Sequence, residues 1–443
     1  MIKPPPKVIP LSAIASEQLA AHYHYHQVID GKGRYLPFDE FQHRLKRADI
    51  PVVAWSLTRS ARDAAMMTIP WFSERQQQAG FNITPAMSQA CAMVDTHTTR
   101  LALQAQHEPL RAARHFLEPL DLEEPISSSL LEGAATTTLV ARKMLESGRT
   151  ARTEDEQMIL GNARLMAEIP HHFDEPLSVG LIRQFHATGM QNINDQKYQP
   201  GKLRVKDDVV IADYDGNIPH QPPAAEDLEE RLEAVCDWYN RVEGPYIHPL
   251  IRSCMLHFML AHEHPFNDGN GRTARALFYW SMLRYGYDAF RFISISSLLH
   301  AAPVKYAHSC QFTESDGMDM IYFLDYQAQI VSRAIERYCG YIAEVTDRRN
   351  AVERVLLASG VIRELTSRQW ALAGIVLISP GKIFTAAEIS AALGVSDNTA
   401  RADLRQLERV GIVNASKTNR QLTGYAAPAR LSELEAALLK RRL

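Results

Sequence analysis

The sequence is short of cysteine, has no long apolar run, no excess of basic charge and no internal repeat. Its five cysteines among 443 residues (Cys91, Cys236, Cys254, Cys310, Cys339) stand apart, with no Cys-x-x-Cys pair. An odd, dispersed set excludes a disulfide framework and a cysteine-based zinc site, and fits reduced, buried thiols in the cytoplasm. No run of about 18 uncharged apolar residues occurs, which excludes a helical membrane span. The opening residues, Met1-Ile2-Lys3-Pro4-Pro5-Pro6, have neither the apolar segment nor the small-residue cleavage site of a signal peptide, so a cytoplasmic protein with no membrane partner is expected. The net charge is −3. No domain-wide basic field marks a nucleic-acid partner, which leaves only a local patch for that role. The composition is ordinary for a globular chain, 46% hydrophobic and 22% charged, and long enough for two or three domains.

The order of elements divides the chain into 1–110, 111–345 and 346–443. The first part is an irregular Pro-containing start followed by helices, with apolar residues at helical spacing over 11–27, 59–79 and 84–104. The histidines of His22-Tyr23-His24-Tyr25-His26 alternate, so on a helix they point apart and do not form a metal site. In the second part, Thr153-Glu154-Asp155-Glu156 is a capping box for a helix ending near Ile169, and Ser178 opens another through His186. Between 198 and 223 the pattern becomes strand-like (Leu203, Val205, Val209, Val210, Ile211) around a turn at Asp215-Gly216-Asn217, which predicts a short hairpin. Helices resume over 225–243, 247–262, 271–285 and 318–345. The fold class is therefore mainly α with a small β-hairpin.

The densest chemistry lies in His264-Pro265-Phe266-Asn267-Asp268-Gly269-Asn270-Gly271-Arg272-Thr273-Ala274-Arg275. Gly269 and Gly271 allow a tight turn and close approach to an anion. The helix that starts there points its free N–H groups and positive dipole end into the turn. Arg272 and Arg275 share a face and offer planar donors to phosphate oxygens. Asp268 is a hard oxygen ligand suited to Mg²⁺ beside phosphates. His264, on the other flank, has the chemistry to deprotonate a hydroxyl. His257, His262 and His264 lack the four-residue spacing of a helical zinc pair. Glu263 is expected either to raise the His264 pKa through its charge or to face solvent.

This segment matches the signature of the Fic (filamentation induced by cyclic AMP) family, His-x-Phe-x-Asp/Glu-Gly-Asn-Gly-Arg-x-x-Arg, at every specified position. Flanking sequence resembles the family over roughly 120–340, including His248-Pro249-Leu250-Ile251-Arg252 and Pro200-Gly201-Lys202-Leu203-Arg204. The resemblance implies a helical Fic-type domain and AMP transfer from Mg-ATP to a Ser, Thr or Tyr hydroxyl of a target protein, the chain itself being one candidate target. It implies His264 as base, Asp268 on the metal, Phe266 as a core anchor, and Gly269, Asn270, Gly271, Arg272, Thr273, Ala274 and Arg275 around the phosphates. It also implies a target-docking flap at the hairpin, with Gly201, Arg204, Val209 and Ile211, where an extended segment could add to a strand edge. UMP, phosphocholine or phosphate transfer remain as other donor chemistries. The base pocket is not fixed by the sequence, with Tyr306 a weak candidate.

Upstream, Ser127-Ser128-Ser129-Leu130-Leu131-Glu132-Gly133 resembles the family's inhibitory motif, Ser/Thr-x-x-x-Glu-Gly/Asn, on a helix near 127–140. An arginine that grips a γ-phosphate can instead be held by a carboxylate. Ser128, Glu132 and Gly133 are therefore expected to form a brake in which Glu132 pairs with Arg275. In some relatives the same glutamate directs a water that removes AMP, and that alternative stays open. Residues 368–427 resemble a winged helix-turn-helix, with Ile389, Leu393 and Val395 inward and Asn398, Thr399, Arg401, Arg405, Lys417 and Arg420 placed to meet DNA. Asp397, Asp403 and Glu408 dilute that basic face, and homodimerisation or protein docking are the alternatives for this module.

Overall fold

The structure, a computed structural model, describes residues 2–107, 118–194, 198–210, 220–241, 243–378, 382–417, 423–428 and 430–440. The fold is mainly helical. It divides into two compact units, Met1–Arg100 with Asp121–Ile335, and Leu101–Leu120 with Glu336–Leu443. Among the described residues no helix is long and apolar enough to cross a membrane.

In the first unit α1 (Pro51–Ala65) opens with proline at its first turn, where the missing N–H costs nothing. It buries Trp55 against Phe38 and Phe41. The helical spacing expected to continue to residue 79 gives way instead to a hairpin, β1 (Met67–Phe72) and β2 (Gln78–Phe81). Its cause is local. Pro70 cannot sit in a helix interior, and Ile69 and Trp71 alternate inward while Thr68, Pro70 and Phe72 do not. After α2 (Pro85–His97) come α3 (Glu123–Leu131), α4 (Thr138–Ser147), α5 (Glu154–Glu168) and α6 (Val179–Met190). Thr153 and Ser178 accept the expected capping bonds from Glu156 and Leu181. The return half of the capping box differs: Glu156 bonds the Arg152 N–H and the Arg149 guanidinium rather than its own cap residue.

The centre of the unit is the pair α8 (Pro249–Glu263) and α9 (Asn270–Arg284), with α7 (Leu228–Asn240) beside them. Every residue of α9 from Arg272 to Leu283 is buried, so this helix has no solvent face. Phe258, Phe266, Phe278 and Trp280 fill the space around it. Then follow α10 (Ser296–His300), α11 (Pro303–Ser315) and α12 (Ile321–Ser359), the last longer than the expected 318–345 and belonging to this unit only as far as Ile335.

In the second unit α13 (Ser367–Ile378), β3 (Ile383–Phe384), α14 (Ala386–Leu393), α15 (Asp397–Arg409), β4 (Asn414–Lys417), β5 (Thr423–Ala426) and α16 (Leu431–Lys440) surround their own core of Leu372, Val376, Ile389, Leu404, Leu407 and Tyr425. The strands are antiparallel in the order β3-β5-β4. Thr385 and Glu388 form a full capping box on α14, and Gly394 closes it in the left-handed conformation.

Candidate active site

The site is the six-residue turn between α8 and α9. His264 ends α8 with φ 46° and ψ 56°, a left-handed conformation that a non-glycine residue keeps only where its surroundings hold it there. Arg204 supplies part of that hold. Its Nε donates to the His264 carbonyl at 3.0 Å, and its own N–H donates to the Pro265 carbonyl at 2.9 Å. Asn270 spends both ends of its side-chain amide on Phe266, accepting from its N–H at 2.9 Å and donating to its carbonyl at 2.8 Å. Phe266 is fully buried and lies flat on the His186 ring, centroids 3.7 Å apart. His186 in turn donates from Nε2 to the Asp268 carbonyl and accepts the Gly201 N–H at Nδ1, both at 2.9 Å. Those two bonds fix one neutral tautomer, and burial holds the ring at about pKa 4. His186 carried no signal of this role in the sequence, because its partners lie 15 and 82 residues away.

This scaffold leaves an anion cradle at the start of α9. Gly269 has φ 79°, and a Cβ there would also press on Met190 at 2.7 Å. Arg272 is 1% exposed, yet all three of its guanidinium nitrogens lack a hydrogen-bond partner among the described residues, and the Asp268 Oδ1 carboxylate oxygen is 3.7 Å away. Leaving buried donors unmade costs about 1–3 kcal/mol each, more for charged groups, so this guanidinium is shaped for an anion. Thr273 turns its hydroxyl back to the Gly269 carbonyl at 2.9 Å, and Ala274 is fully buried, so both serve the helix with their side chains. Asp268 takes the Gly269 N–H with Oδ1, and its side chain is 38% exposed on the rim of the cradle. A hard, partly exposed carboxylate beside Arg272 fits a Mg²⁺ shared with phosphate oxygens.

Glu132 already sits in this cradle. It caps the end of α3, which stops at Leu131 rather than running to 140, and Gly133 then turns the chain with φ 92°. Glu132 Oε1 accepts from Arg275 Nη2 at 2.8 Å, while Ser128 takes Arg275 Nε on its hydroxyl at 2.9 Å and Nη2 on its carbonyl at 3.1 Å. Arg275 Nη1 has no partner among the described residues. Burial opposes the charge on Glu132, but Arg275 prevails and holds its carboxyl below the usual range. A Cβ on Gly271 would lie 2.2 Å from Glu132 Oε1, so glycine there lets the carboxylate keep this position. The helix α3 is held in place from below by Glu124, whose buried carboxylate takes the Ser294 hydroxyl at 2.7 Å and the Ser296 N–H at 3.0 Å.

His264 stands on the far side of the turn, its Nδ1 3.4 Å from the Ala261 carbonyl. That contact directs the proton to Nδ1 and leaves Nε2 as the acceptor. Burial, aided by His220 nearby, lowers the ring to about pKa 4. The expectation that Glu263 would raise this pKa or face solvent is corrected. Glu263 is fully buried, bound on both oxygens by Arg231 at 2.6 and 2.7 Å and by the Trp71 indole at 3.1 Å. It ties β1 and α7 to the end of α8 and spends its charge there.

The flap expectation falls largely on 211–219, including Ile211, which lie outside the described residues. The described stretch 202–210, with Val209, is in no strand. Arg204 is buried and bonded to the His264, Lys206 and Pro223 carbonyls and to Asp207, so it fastens the base of this segment. Gly201 has φ 72° and bonds His186. The Tyr306 hydroxyl and His257 Nε2 share a hydrogen bond at 3.0 Å. In the second unit Asn398, Arg401 and Arg405 are exposed along α15. Asp403 is instead buried, paired with Arg368 at 2.6 Å and Gln369 at 2.9 Å, so it does not dilute that face. Lys417 belongs to β4, and Arg420 lies outside the described residues.

Residues 176–282, which hold all of this turn and its His186 and Arg204 supports, match the Fic/DOC family. This chain carries a Fic domain. Relatives of that domain include the protein adenylyltransferase Fic of Nematostella vectensis, 43% identical over 166 residues that cover 36% of this chain and 37% of that one. The protein of the same name in Drosophila willistoni is 28% identical over 193 residues, 42% of this chain and 37% of that one. The chain thus spans well under half the length of these curated relatives. A solved Fic family protein from Desulfovibrio desulfuricans G20 shares the fold, with TM-score 0.53 and 16% identity, over 79% of this chain and 98% of that one. The Ser128–Glu132 contacts lie outside the matched residues and rest on this structure's geometry alone.

Proposed function

We propose that the chain transfers AMP from Mg-ATP to a hydroxyl side chain of a target protein, and that Glu132 restrains the transfer. The observation that carries this reading is the buried Arg272 guanidinium, with no hydrogen-bond partner among the described residues, at the glycine-lined start of α9 next to the turn that carries His264. Such a cradle takes a polyphosphate, and its position beside a neutral imidazole suits attack at phosphorus. The target hydroxyl oxygen attacks the α-phosphorus, its proton passes to His264 Nε2, and the bond from that phosphorus to the bridging oxygen breaks, releasing pyrophosphate. Arg272 and the first amides of α9 hold the phosphate oxygens, and Asp268 would hold Mg²⁺, which neutralises phosphate charge when bound. Arg275 is the donor left for the γ-phosphate, and Glu132 competes for it. The target would lie along the segment that starts at Arg204, whose base is fastened to the turn carrying the base.

Intact-mass measurement tests the reading. Glu132→Gly with Mg-ATP should add an adenylyl group to itself or to a protein in a cell extract, and the Glu132→Gly, His264→Ala double variant should add none. Addition that persists without His264 would remove it as the base.

For the second unit we propose contact with duplex DNA through α15, because Asn398, Arg401 and Arg405 stay exposed while Asp403 turns inward to Arg368. A gel-shift series at rising salt tests it, and no shift at low salt moves the module to protein docking or homodimerisation.

A further inference from the structure

Three side chains outside the phosphate site converge in a way the sequence spacing hid. His262 lies in the last turn of α8, Glu314 lies in α11, and His220 follows the segment that begins at Arg204. Their ligand-type atoms all lie within 4.8 Å of one another, and both histidines are buried. His220 Nδ1 is 2.9 Å from Glu314 Oε2, and His262 Nδ1 is 3.4 Å from Glu314 Oε1.

The hydrogen bonds around the trio set the chemistry of those atoms. His220 Nε2 faces the His262 carbonyl at 2.8 Å. A carbonyl only accepts, so Nε2 carries a proton, and Nδ1 is the ring atom turned towards Glu314. A carboxylate oxygen also only accepts. These two groups, 2.9 Å apart, therefore need either a second ring proton or a metal ion between them. His262 has the same neighbours in kind: its Nε2 faces Glu74 Oε2 at 3.0 Å and its Nδ1 faces the other oxygen of Glu314, and against burial these two carboxylates push the ring up to about pKa 9, so a metal ion there takes the place of a proton.

The distances also suit one ion. Ligands held about 2.0–2.1 Å from a metal and about 90–110° apart are separated by roughly 2.9–3.4 Å. The two nitrogen-to-oxygen distances are 2.9 and 3.4 Å. In metal sites the second ring nitrogen of a ligating histidine donates to a carboxylate or a backbone carbonyl, which fixes the tautomer and the ring. Here Glu74 fills that place for His262, and the His262 carbonyl fills it for His220. Two imidazoles and a carboxylate are a borderline donor set, unlike the all-oxygen set that Mg²⁺ prefers.

We propose that His220, His262 and Glu314 bind one divalent transition-metal ion of the zinc class, separate from the Mg-ATP site. The ion would fasten His220, at the far end of the segment that starts at Arg204, to the last turn of α8. Both ends of that segment would then be pinned beside His264, one by Arg204 and one by the ion.

The test uses the full chain, stripped with a chelator and kept in excess Mg²⁺ so that Asp268 does not compete. Co²⁺ titration should give visible d–d absorption that saturates at one equivalent and is displaced by Zn²⁺. His220→Ala and Glu314→Gln should lose this absorption. Glu74→Gln should keep the stoichiometry and weaken affinity about 10–100-fold, as expected for a group that orients a ligand. Zn²⁺ should raise the melting temperature of the wild type and not of His220→Ala. If His220→Ala does not fold, His220→Asn, which keeps a polar side chain of similar reach, takes its place. Absence of stoichiometric Co²⁺ or Zn²⁺ binding, or binding unchanged in both ligand variants, would overturn the proposal and leave a cluster held by protons alone.

Discussion

Replacing Glu132 by glycine should raise AMP transfer by about 10- to 150-fold. The Glu132–Arg275 contact is 2.8 Å long, with Arg275 1% exposed and the Glu132 side chain 27% exposed. At an effective dielectric near 20, two charges about 4 Å apart attract by about 4 kcal/mol, which is the ceiling. A hydrogen bond to a charged partner contributes about 1.5–3 kcal/mol net. Under the proposed competition ATP has to displace that contact before its γ-phosphate reaches Arg275, and each 1.4 kcal/mol is about tenfold in occupancy. The same substitution removes a partner from a buried arginine, so the melting temperature should fall by several degrees even as activity rises. The assay is the initial rate of α-labelled AMP incorporation at fixed Mg-ATP, with Glu132→Gln as a companion that keeps the size and removes the charge. Its rate should fall between the other two. Equal rates for wild type and Glu132→Gly would refute the competition argument. Loss of AMP release from a modified target in Glu132→Gly, with wild type releasing it, would favour the hydrolytic use of the same carboxylate.

His264→Ala should keep Mg-ATP affinity near wild type by calorimetry while transfer falls at least about 10²-fold. Gly271→Ala puts a Cβ 2.2 Å from Glu132 Oε1; if the phosphates take the place of that carboxylate, transfer should be low in Gly271→Ala and stay low with Glu132→Gly added, and full activity of the double variant would contradict that placement. His186→Phe keeps the stack on Phe266 but strands the Gly201 N–H and the Asp268 carbonyl, which should lower stability by about 2–5 kcal/mol in denaturant melts. Duplex affinity, if it resides in Arg401, Arg405, Lys417 and Arg420, should fall with salt at a log–log slope of roughly −3 to −4.

What could be seen in the sequence was whatever depends on neighbours in the chain. The turn His264–Arg275 carries its chemistry within twelve positions, and the helices on either side begin and end within two residues of where caps and periodicity put them. The hairpin Met67–Phe81 was readable too, through Pro70 and the alternation of Ile69 and Trp71, but helical spacing over a longer window hid it. The rest depends on distant partners. Trp71 and Arg231 reach Glu263 across 192 and 32 residues, and His220 meets Glu314 across 94. No spacing rule within one chain marks such pairs, which is why Glu263 looked like a charge beside the base and His186 like the end of a helix.

The central claim is that the cradle presents the α-phosphorus of ATP to a hydroxyl, with His264 receiving the proton. The most direct test is to incubate Glu132→Gly with ATP labelled at either the α- or the γ-phosphate, and to count protein-bound label after denaturation. Label from the α position alone, absent from the double variant with His264→Ala, is the predicted result. Covalent label from the γ position, or α label undiminished without His264, would contradict the account.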